Sequence, residues 1–352
     1  MAESLIILWW GRFDPDYSRN RILRQLMEAL GWSLRDFSPV FSRFGDIQAT
    51  VQRVGQPDIV WVPCFRQRDM VAASRWARRM GVPLVFDPLI SAYDKQVDER
   101  RKLKVDSRQA RHLLRWERDL FASADRVVAD TPAHADYFHE MLGVPRDRLS
   151  ILMVGAEEQL FQPCSEREVN DPLEVLFFGS FIPLQDPEVI VEAARLCEAK
   201  DVVWTLLGNG PLRQRCEERA QGLTNIRFED WLPYRELPER ICKADILLGI
   251  FGDTPKAGRV IPNKVYQGLA SAKPLVTRES AAYPKALLED SDSGISWVPA
   301  ANARALAWKV ARLATDSVLR KNESLHARKT MELWFSSRKL KMQLQDLLSE
   351  AL

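Results

Sequence analysis

Three basic residues lie close together just before and within a predicted helix. Lys256, Arg259 and Lys264 fall within nine residues, and Asn263, a preferred helix N-cap residue, leaves Lys264 in the first turn. The free backbone N–H groups and the dipole of a helix N-terminus already favour an anion at this point. Gln267 follows three residues later and therefore projects from the same side of the helix as Lys264. The pattern predicts a phosphate-binding site, and a solvated basic loop is the alternative interpretation.

Short apolar runs surround this basic segment. Residues 246–250 and 273–277 have the length of buried strands, and the helix between them favours a parallel pair joined by a helical crossover. Further apolar runs at 173–178 and 202–207 each lead into a glycine turn, and a residue without Cβ, such as Gly179, lets the backbone approach a phosphate closely. Ligands of parallel sheets bind beyond the carboxyl ends of the strands, so these turns are predicted to form one side of a ligand site.

The N-terminal half of the chain alternates short apolar runs with helical patterns. Strands are predicted at 5–10, 32–37, 58–62, 84–86, 126–129 and 149–153. A helical pattern at 19–30 ends at Gly31, which is a typical C-terminal capping residue. This alternation indicates a parallel sheet that is covered by helices on both faces. The loops at 11–19 and 87–93 would then lie at the ligand-binding edge of that sheet.

The segment 244–277 resembles the donor site of glycosyltransferases of the family-4 type. The residues that carry the resemblance are AD at 244–245, IPNKVYQ at 261–267 and GLASAKP at 268–274. The similarity is greatest to a branch with an IPNKVYE-type donor loop, whose glutamate is replaced here by Gln267. The resemblance implies an α/β fold of the GT-B architecture, in which two Rossmann-like domains face each other with a cleft between them.

This chain departs from the family pattern at four charged positions. The family usually has two glutamates eight residues apart where this chain has Arg259 and Gln267. It often has arginine and lysine after the glycine of the first turn in the second domain, where this chain has Ser180 and Gln185. Two cations are thus absent from one loop while the opposite loop is rich in basic residues, which favours a relocation of positive charge.

The resemblance also implies the division of the chain into domains. Residues 1–165 would form an N-terminal acceptor-binding domain, and residues 173–335 a C-terminal domain that binds a nucleotide-sugar donor. The last helix, in residues 336–352, would cross back to the N-terminal domain. Residues 162–172 contain two prolines and many charges, which is typical of a linker. A chain of 352 residues is long enough for two such domains.

The activity implied by the resemblance is transfer of a sugar from a UDP- or GDP-linked donor to a glycan or lipid-linked acceptor. The family retains anomeric configuration and uses neither a metal nor another cofactor. Lys264 and Arg259 would stabilise the negative charge that grows on the departing diphosphate. Asp87 is the acceptor-side carboxylate that the sequence favours, and a structural Asp-Pro turn is the alternative.

The remaining site candidates lie on the loops that follow predicted strands. The donor-binding candidates are Gly179, Ser180, Gln185, Gly208, Asn209, Trp231, Leu232, Lys256, Asn263 and Gln267. The acceptor-side candidates are Gly11, Arg12, Asp14, Tyr17 and Tyr93. No metal site is predicted, because the D-x-D patterns at 14–16 and 290–292 are short enough to recur by chance in a charged chain.

Two other function classes remain open. The missing glutamates leave the possibility of a catalytically degenerate nucleotide-sugar-binding subunit of a glycan-assembly complex. An epimerase of related architecture is less favoured, because no acid–base dyad can be assembled from the sequence. The glycine-led loop at 11–19 lacks G-x-G-x-x-G, which counts against an NAD-dependent enzyme.

Composition excludes further classes. The net charge of +2 arises from 50 basic and 48 acidic residues, so there is no basic domain for nucleic acid. No apolar run approaches the ~20 residues that span a bilayer, and the run at 5–10 lacks a basic leader, so it indicates a strand and not a signal peptide. Five cysteines without metal-type spacing argue against a disulfide framework. We therefore expect a cytoplasmic protein whose cysteines are all structural.

One segment is strongly basic. Residues 100–118 hold eight lysines or arginines against two acids. A solvated helix packed on one side is the favoured interpretation, because the apolar residues form no continuous stripe. Contact with an anionic membrane surface, at the inner membrane face, or with a phosphorylated acceptor is the alternative.

Overall fold

The strands of this chain form two parallel sheets of six strands each. The structure, a computed structural model, describes residues 5–100, 102–164 and 171–352. The chain divides into two units: unit 1 comprises Met1–Val154 with Ser337–Leu352, and unit 2 comprises Gly155–Ser336. The division after Val154 comes ahead of the linker predicted at 162–172, of which residues 165–170 lie outside the described residues.

Unit 1 is an α/β layer structure around a sheet of order β2-β1-β3-β4-β5-β6. Its strands are β1 Ile6–Trp10, β2 Ser33–Phe37, β3 Ile59–Val62, β4 Leu84–Phe86, β5 Arg126–Ala129 and β6 Leu149–Ile151. Its helices before residue 155 are α1 Ser18–Ala29, α2 Gly45–Val51, α3 Met70–Met80, α4 Arg108–Ala122 and α5 Pro132–Glu140. Short 3₁₀ turns occur at Ser42–Phe44, Gln67–Asp69 and Arg146–Arg148, and a π-helical turn at Asp94–Glu99. All of its strand pairs are parallel, as the alternation of strand and helix predicts.

Unit 2 repeats this arrangement with the order β12-β11-β10-β7-β8-β9. Its strands are β7 Leu173–Phe178, β8 Val202–Leu207, β9 Ile226–Glu229, β10 Ile246–Leu248, β11 Leu275–Arg278 and β12 Ile295–Val298. Its helices are α6 Pro187–Leu196, α7 Arg213–Arg219, α8 Leu237–Lys243, α9 Asn263–Ala270, α10 Lys285–Leu288, α11 Ala303–Thr315 and α12 Ser317–Thr330. Short turns of 3₁₀ helix occur at Tyr234–Glu236 and Lys256–Gly258, and of π-helix at Met331–Phe335. The predicted parallel pair with a helical crossover is present as β10, α9 and β11.

The last helix, α13 Ser337–Ala351, belongs to unit 1. Its buried residues are Leu340, Leu344, Leu347 and Leu348, a helical spacing that places them on one side. The helix contacts α1, and the ammonium of Lys341 donates to the carbonyl of Ala29 at 2.6 Å. Helix α1 of unit 1 is thereby packed against a helix that is far from it in sequence.

The cysteines depart from expectation. Cys164 and Cys242 form a disulfide across 78 residues of sequence, whereas Cys64, Cys197 and Cys216 are free. The prediction of no disulfide was wrong for this pair, because the fold brings the segment before residue 165 to the end of α8. Sequence spacing alone cannot reveal such a contact.

Within the described ranges, no helix is both long enough and apolar enough to cross a bilayer.

Candidate functional site

The carboxyl edge of the unit 2 sheet is built from loops that contact one another through backbone. Gly179 follows β7 and Gly208 follows β8, both with positive φ. A Cβ on Gly208 would overlap the carbonyl oxygen of Gly179, so glycine is required for the two turns to approach this closely. The amide of Phe181 also donates to the carbonyl of Asn209 at 3.0 Å. The turns after β7 and β8 therefore form one continuous surface.

Lys264 lies beneath this surface, in the first turn of α9. Its side chain is buried, with 4% of the residue exposed, and Nζ donates to Gln185 Oε1 at 2.7 Å. Nζ also lies 3.7 Å from the centroid of the Phe177 ring. Among the described residues no carboxylate forms a salt bridge with this ammonium, and burial lowers the pKa of Lys264 well below its ordinary value. The site thus holds a desolvated amine that would gain from a bound anion.

Gly179 lies directly against that amine. A Cβ at position 179 would lie 2.8 Å from Lys264 Nζ and would also overlap Gln185 Oε1. Glycine therefore leaves the space in front of the ammonium free of side-chain atoms. Gly179 and Gln185, both predicted as donor-binding residues, are brought together with Lys264 by the structure.

The other two predicted cations are on the loop between β10 and α9. Lys256 lies in the 3₁₀ turn Lys256–Gly258 and is 5% exposed, and Arg259 follows it and is half-buried. This loop contacts the turn after β7, because the amide of Phe251 donates to the carbonyl of Gln185 at 3.1 Å. The basic loop and the glycine turn that faces Lys264 are therefore parts of one assembly.

Sequence reasoning missed a fourth cation at this edge. Arg278 is the last residue of β11, and its guanidinium donates to the carbonyl of Gly252 on the basic loop. Burial lowers the pKa of Arg278. The available signal was its position directly after the predicted strand 273–277, where a basic side chain reaches the carboxyl edge of the sheet.

The helix α9 begins differently from the prediction. Pro262 is the N-cap and Asn263 is the first helical residue, because the backbone of Pro262 is extended and helical geometry starts after it. Lys264 nevertheless remains in the first turn. Gln267 lies one turn further along and is 5% exposed.

The remaining donor-binding candidates follow the same edge of the sheet. Ser180 follows β7 and is half-buried, and Asn209 follows β8 and is exposed. The side-chain oxygen of Asn209 accepts from the amide of Gly210 at 2.7 Å. Trp231 and Leu232 follow β9, and the indole of Trp231 is 54% exposed, an apolar ring facing solvent at the ligand-binding edge.

Asp87, predicted on the acceptor side, is instead enclosed within unit 1. It has no exposed surface, and its carboxylate accepts from Arg19 Nε at 2.8 Å and from Arg19 Nη2 at 2.9 Å. Burial opposes the charge of Arg19, but the Coulombic and hydrogen-bond effects of Asp87 outweigh it and raise the pKa of Arg19. Arg19 Nη1 also donates to the carbonyl of Leu152 at 3.0 Å. This geometry favours the structural role of Asp87 over the acceptor-side role.

The loop after β1 carries the other acceptor-side candidates. Gly11 has φ +136°, a conformation that favours glycine, and Arg12 and Asp14 are exposed. Asp14 Oδ1 accepts from the amide of Asp16 at 2.9 Å, so one of its oxygens stabilises the turn. Tyr17 is half-buried, and burial raises the pKa of its phenol, which stays neutral.

Glu117 is a second residue that sequence reasoning missed. It lies on α4 and is fully buried, and its carboxylate accepts from the amides of Ala92 at 2.5 Å and Tyr93 at 2.8 Å. It also accepts from the hydroxyl of Ser91 at 2.6 Å. The predicted acceptor loop is thus fixed from beneath by a carboxylate, and Tyr93 is itself 5% exposed. The signal that could have identified Glu117 is the presence of an acid within the basic run at residues 100–118.

Comparison with known proteins identifies both units. Residues 15–155 match the Glycosyl transferase 4-like domain, and residues 172–316 match Glycosyl transferases group 1. A curated D-inositol 3-phosphate glycosyltransferase of Thermomonospora curvata is 29% identical over 203 residues, which is 50% of this chain and 46% of that protein. Matches to other relatives of this description also span less than half of each relative's length.

Solved structures share the fold over nearly the whole chain. The Anabaena protein HepE, solved in complex with UDP, has a TM-score of 0.72 at 14% identity and covers 98% of this chain and 99% of its own. Sucrose-phosphate synthase of Thermosynechococcus elongatus has a TM-score of 0.75 at 14% identity and covers 99% of each chain. Both show the fold.

The fold and the two domain matches define the class. The chain has a fold of the GT-B type and carries a Glycosyl transferase 4-like domain followed by a Glycosyl transferases group 1 domain. The α/β fold with two Rossmann-like domains, expected from the sequence, is confirmed.

Proposed function

We propose that this protein transfers a sugar from a nucleotide-diphosphate sugar, bound at the carboxyl edge of the unit 2 sheet, to an acceptor bound by unit 1. The observation that carries the proposal is the buried ammonium of Lys264, which has Gly179 in front of it. Among the described residues, no carboxylate forms a salt bridge with this ammonium. Burying an amine in this way is unfavourable without a compensating anion. The first turn of a helix beside a glycine turn is suited to a phosphate.

The chemistry follows from where charge develops. As the bond between the sugar and the diphosphate breaks, negative charge grows on the leaving phosphate oxygens. A fixed cation in a desolvated position stabilises that charge more strongly than it would in water. Lys264 is the first candidate for this role, Arg259 the second and Lys256 the third. Gln267 would hydrogen-bond the ribose or the sugar in place of the family's glutamate.

The donor and acceptor are proposed by chemical class. The donor is UDP- or GDP-linked, and UDP is the first to test because HepE was solved with UDP and with UDP-glucose. The acceptor is a glycan or a lipid-linked sugar. A phosphorylated inositol is a further acceptor to test, because the curated relatives are named D-inositol 3-phosphate glycosyltransferases. We further propose the IPNKVYE-type branch, retention of configuration without a metal or other cofactor, and a cytoplasmic site of reaction.

A nucleotide panel with a matched variant tests donor binding. A ligand that binds only the folded protein stabilises it by about 2.7 kcal/mol at a hundredfold excess over Kd. We expect UDP or GDP to raise the Tm of the wild-type protein, NAD to leave it unchanged, and Lys264→Met to abolish the effect. Absence of a shift with every nucleoside diphosphate would contradict the proposal.

A product assay then separates enzyme from binding subunit. The replacement of both family glutamates, by Arg259 and Gln267, is the observation that favours a degenerate subunit. Such a subunit would bind the nucleotide yet neither transfer nor slowly hydrolyse any donor sugar. Release of UDP or GDP from the matching donor, dependent on Lys264, supports the enzyme.

A further inference from the structure

Positive charge is concentrated at the carboxyl edge of the unit 2 sheet. Residues 249–278 contain one acid, Asp253, and five basic residues, Lys256, Arg259, Lys264, Lys273 and Arg278. Lys273 precedes β11 and donates to the carbonyls of Cys242 and Ala244, so it belongs to the amino edge. The other four follow β10 or end β11, at the carboxyl edge. A donor with a neutral sugar has one negative charge on each phosphate of its diphosphate, so these cations outnumber the charges of such a donor.

The guanidinium of Arg278 is only partly used by the protein. Nη1 donates to the carbonyl of Gly252, and Nε donates to the carbonyl of Glu279 at 3.2 Å. Among the described residues, Nη2 donates to no acceptor, and no carboxylate forms a salt bridge with Arg278. Asp253 and Glu279 attract its charge, but both are exposed, and burial outweighs them and lowers the pKa of Arg278. An anion in front of Nη2 would therefore be stabilised by a cation that is half-desolvated.

Gly258 leaves space in front of Nη2. A Cβ on this glycine would lie 3.6 Å from Arg278 Nη2, and apart from its chain neighbours it would meet no other atom of the described residues within 4 Å. Gly258 ends the turn Lys256–Gly258, and Arg259 follows it. A gap that is bordered by Nη2 of Arg278 therefore opens beside the basic loop.

The strand order indicates which part of a donor would reach this gap. The order is β12-β11-β10-β7-β8-β9, and the exposed ring of Trp231, after β9, is suited to stacking on a nucleobase. Lys264 faces Gly179, after β7, where the proposed diphosphate lies. A donor that extends along the edge from β9 past β7 brings its sugar to β10 and β11, and therefore to Arg278.

We propose that the donor sugar is a uronic acid whose carboxylate binds Nη2 of Arg278 in the gap beside Gly258, an inference that rests on the proposed function and names its substrate class. A guanidinium presents paired N–H donors in a plane that matches a carboxylate. Arg259 adds a positive charge where the family usually has glutamate. A protein carboxylate at that position would repel a uronate, whereas arginine attracts one.

The transfer reaction itself keeps the same balance with such a donor. The bond from the anomeric carbon to the diphosphate breaks, and a bond from that carbon to an acceptor oxygen forms. The proton of the acceptor hydroxyl is released, and the carboxylate of the sugar takes no part in bond making. Arg278 would therefore select the donor and would not change the chemistry.

Two UDP-linked sugars provide a matched pair for the test. UDP-glucose and UDP-glucuronate differ only at C6, which carries a hydroxyl in the first and is a carboxylate in the second. Calorimetric titration of the full chain gives a Kd for each, and GDP-mannose with GDP-mannuronate takes their place if only GDP raises the Tm. We expect the wild type to bind the uronate at least about tenfold more tightly, and this preference should shrink at high salt.

Variants of Arg278 assign the preference to its charge. Arg278→Gln should reduce the preference to less than about twofold, whereas Arg278→Lys should keep part of it, since lysine has the charge without the planar fork. Arg195→Gln is the matched control, because Arg195 lies at the end of α6, which leads back to the amino edge, and its side chain is 44% exposed. Its preference should equal that of the wild type. Circular dichroism and Tm show whether each variant is folded, and the wild-type preference decides even if Arg278→Gln does not fold.

Two results would overturn the uronic acid assignment and leave the proposed function intact. One is a wild-type chain that binds UDP-glucose as tightly as UDP-glucuronate, or more tightly. The other is a folded Arg278→Gln variant that keeps the full preference for the uronate. Binding of neither donor and of no nucleoside diphosphate would contradict the proposed function, and the assignment of the sugar with it.

Discussion

Substitution of Lys264 by methionine should stabilise the free protein and strongly reduce its turnover. Methionine has a similar length and no charge, so it fills the same space under Gly179 without an ammonium. The lysine is 4% exposed, and its partners are the amide oxygen of Gln185 and the ring of Phe177. Gln185 is half-buried, so its oxygen can bond water once the ammonium is gone.

The magnitude follows from these contacts. The effective cost of desolvating one ammonium in a protein is several kcal/mol. A hydrogen bond to a charged group returns about 1.5–3 kcal/mol, and a cation–π contact about 0.5–2 kcal/mol. The remaining deficit is roughly 1–3 kcal/mol, which methionine would recover. For a unit of this size that gain corresponds to a rise in Tm of about 2–4 °C per kcal/mol.

The pH dependence has a definite sign. Because burial lowers the pKa of Lys264 in the folded state, its contribution to stability is present above the unfolded pKa and is lost as pH falls through the folded pKa. The stability advantage of Lys264→Met should therefore grow as pH falls and vanish at high pH. Turnover should fall by about 10² to 10³, since a preorganised charge is removed from the developing anion.

Urea unfolding across pH, together with donor turnover, measures both effects. Calorimetry in buffers of different ionisation enthalpy adds a third readout, because a bound diphosphate raises the pKa of Lys264 and binding then takes up a proton between the free and bound pKa values. Lys285→Met is the control: that lysine is on α10, its side chain is 87% exposed, and neither stability nor turnover should change.

Two results would refute the reasoning. Turnover of Lys264→Met equal to the wild type would remove the lysine from the donor site. A lower Tm with proportionate loss of activity would mean that the ammonium supports the fold through contacts with Gln185 and Phe177.

Three further predictions concern residues that the structure places in defined roles. Gly179→Ala should lower Tm and abolish the nucleotide-induced Tm shift, because a methyl group would lie 2.8 Å from Lys264 Nζ; retention of that shift would be inconsistent with a donor site there. Asp87→Asn should cost about 3–5 kcal/mol in urea unfolding, since it leaves the guanidinium of Arg19 buried without its carboxylate, while a stable variant that is merely inactive would restore the acceptor-side role. Burial raises the pKa of Glu117 despite its hydrogen bonds, so its contribution to stability is present below the unfolded pKa and is lost as pH rises through the folded pKa. The stability difference between the wild type and Glu117→Gln should accordingly shrink as pH rises above the unfolded pKa of glutamate, and a difference that widens with rising pH would show the opposite shift.

The order of strands and helices was open to sequence reasoning because it depends on local pattern. The strands predicted at 84–86, 126–129, 173–178 and 202–207 are observed at the same bounds. Apolar runs of strand length bounded by glycine and proline carry that information within a few residues. The carboxyl-edge rule for parallel sheets then predicts, from the sequence alone, that the basic loop and the glycine turns lie at one edge of the sheet.

The sequence by itself determined the fold class and the presence of three cations beside a helix N-terminus. Only the tertiary structure decided that Lys264 is buried against Gly179, that Asp87 is neutralised by Arg19, and that Cys164 meets Cys242. Each of these depends on a contact between residues that are far apart in the chain. Burial and pairing, and through them pKa and function, arise from such contacts, and no local periodicity encodes them.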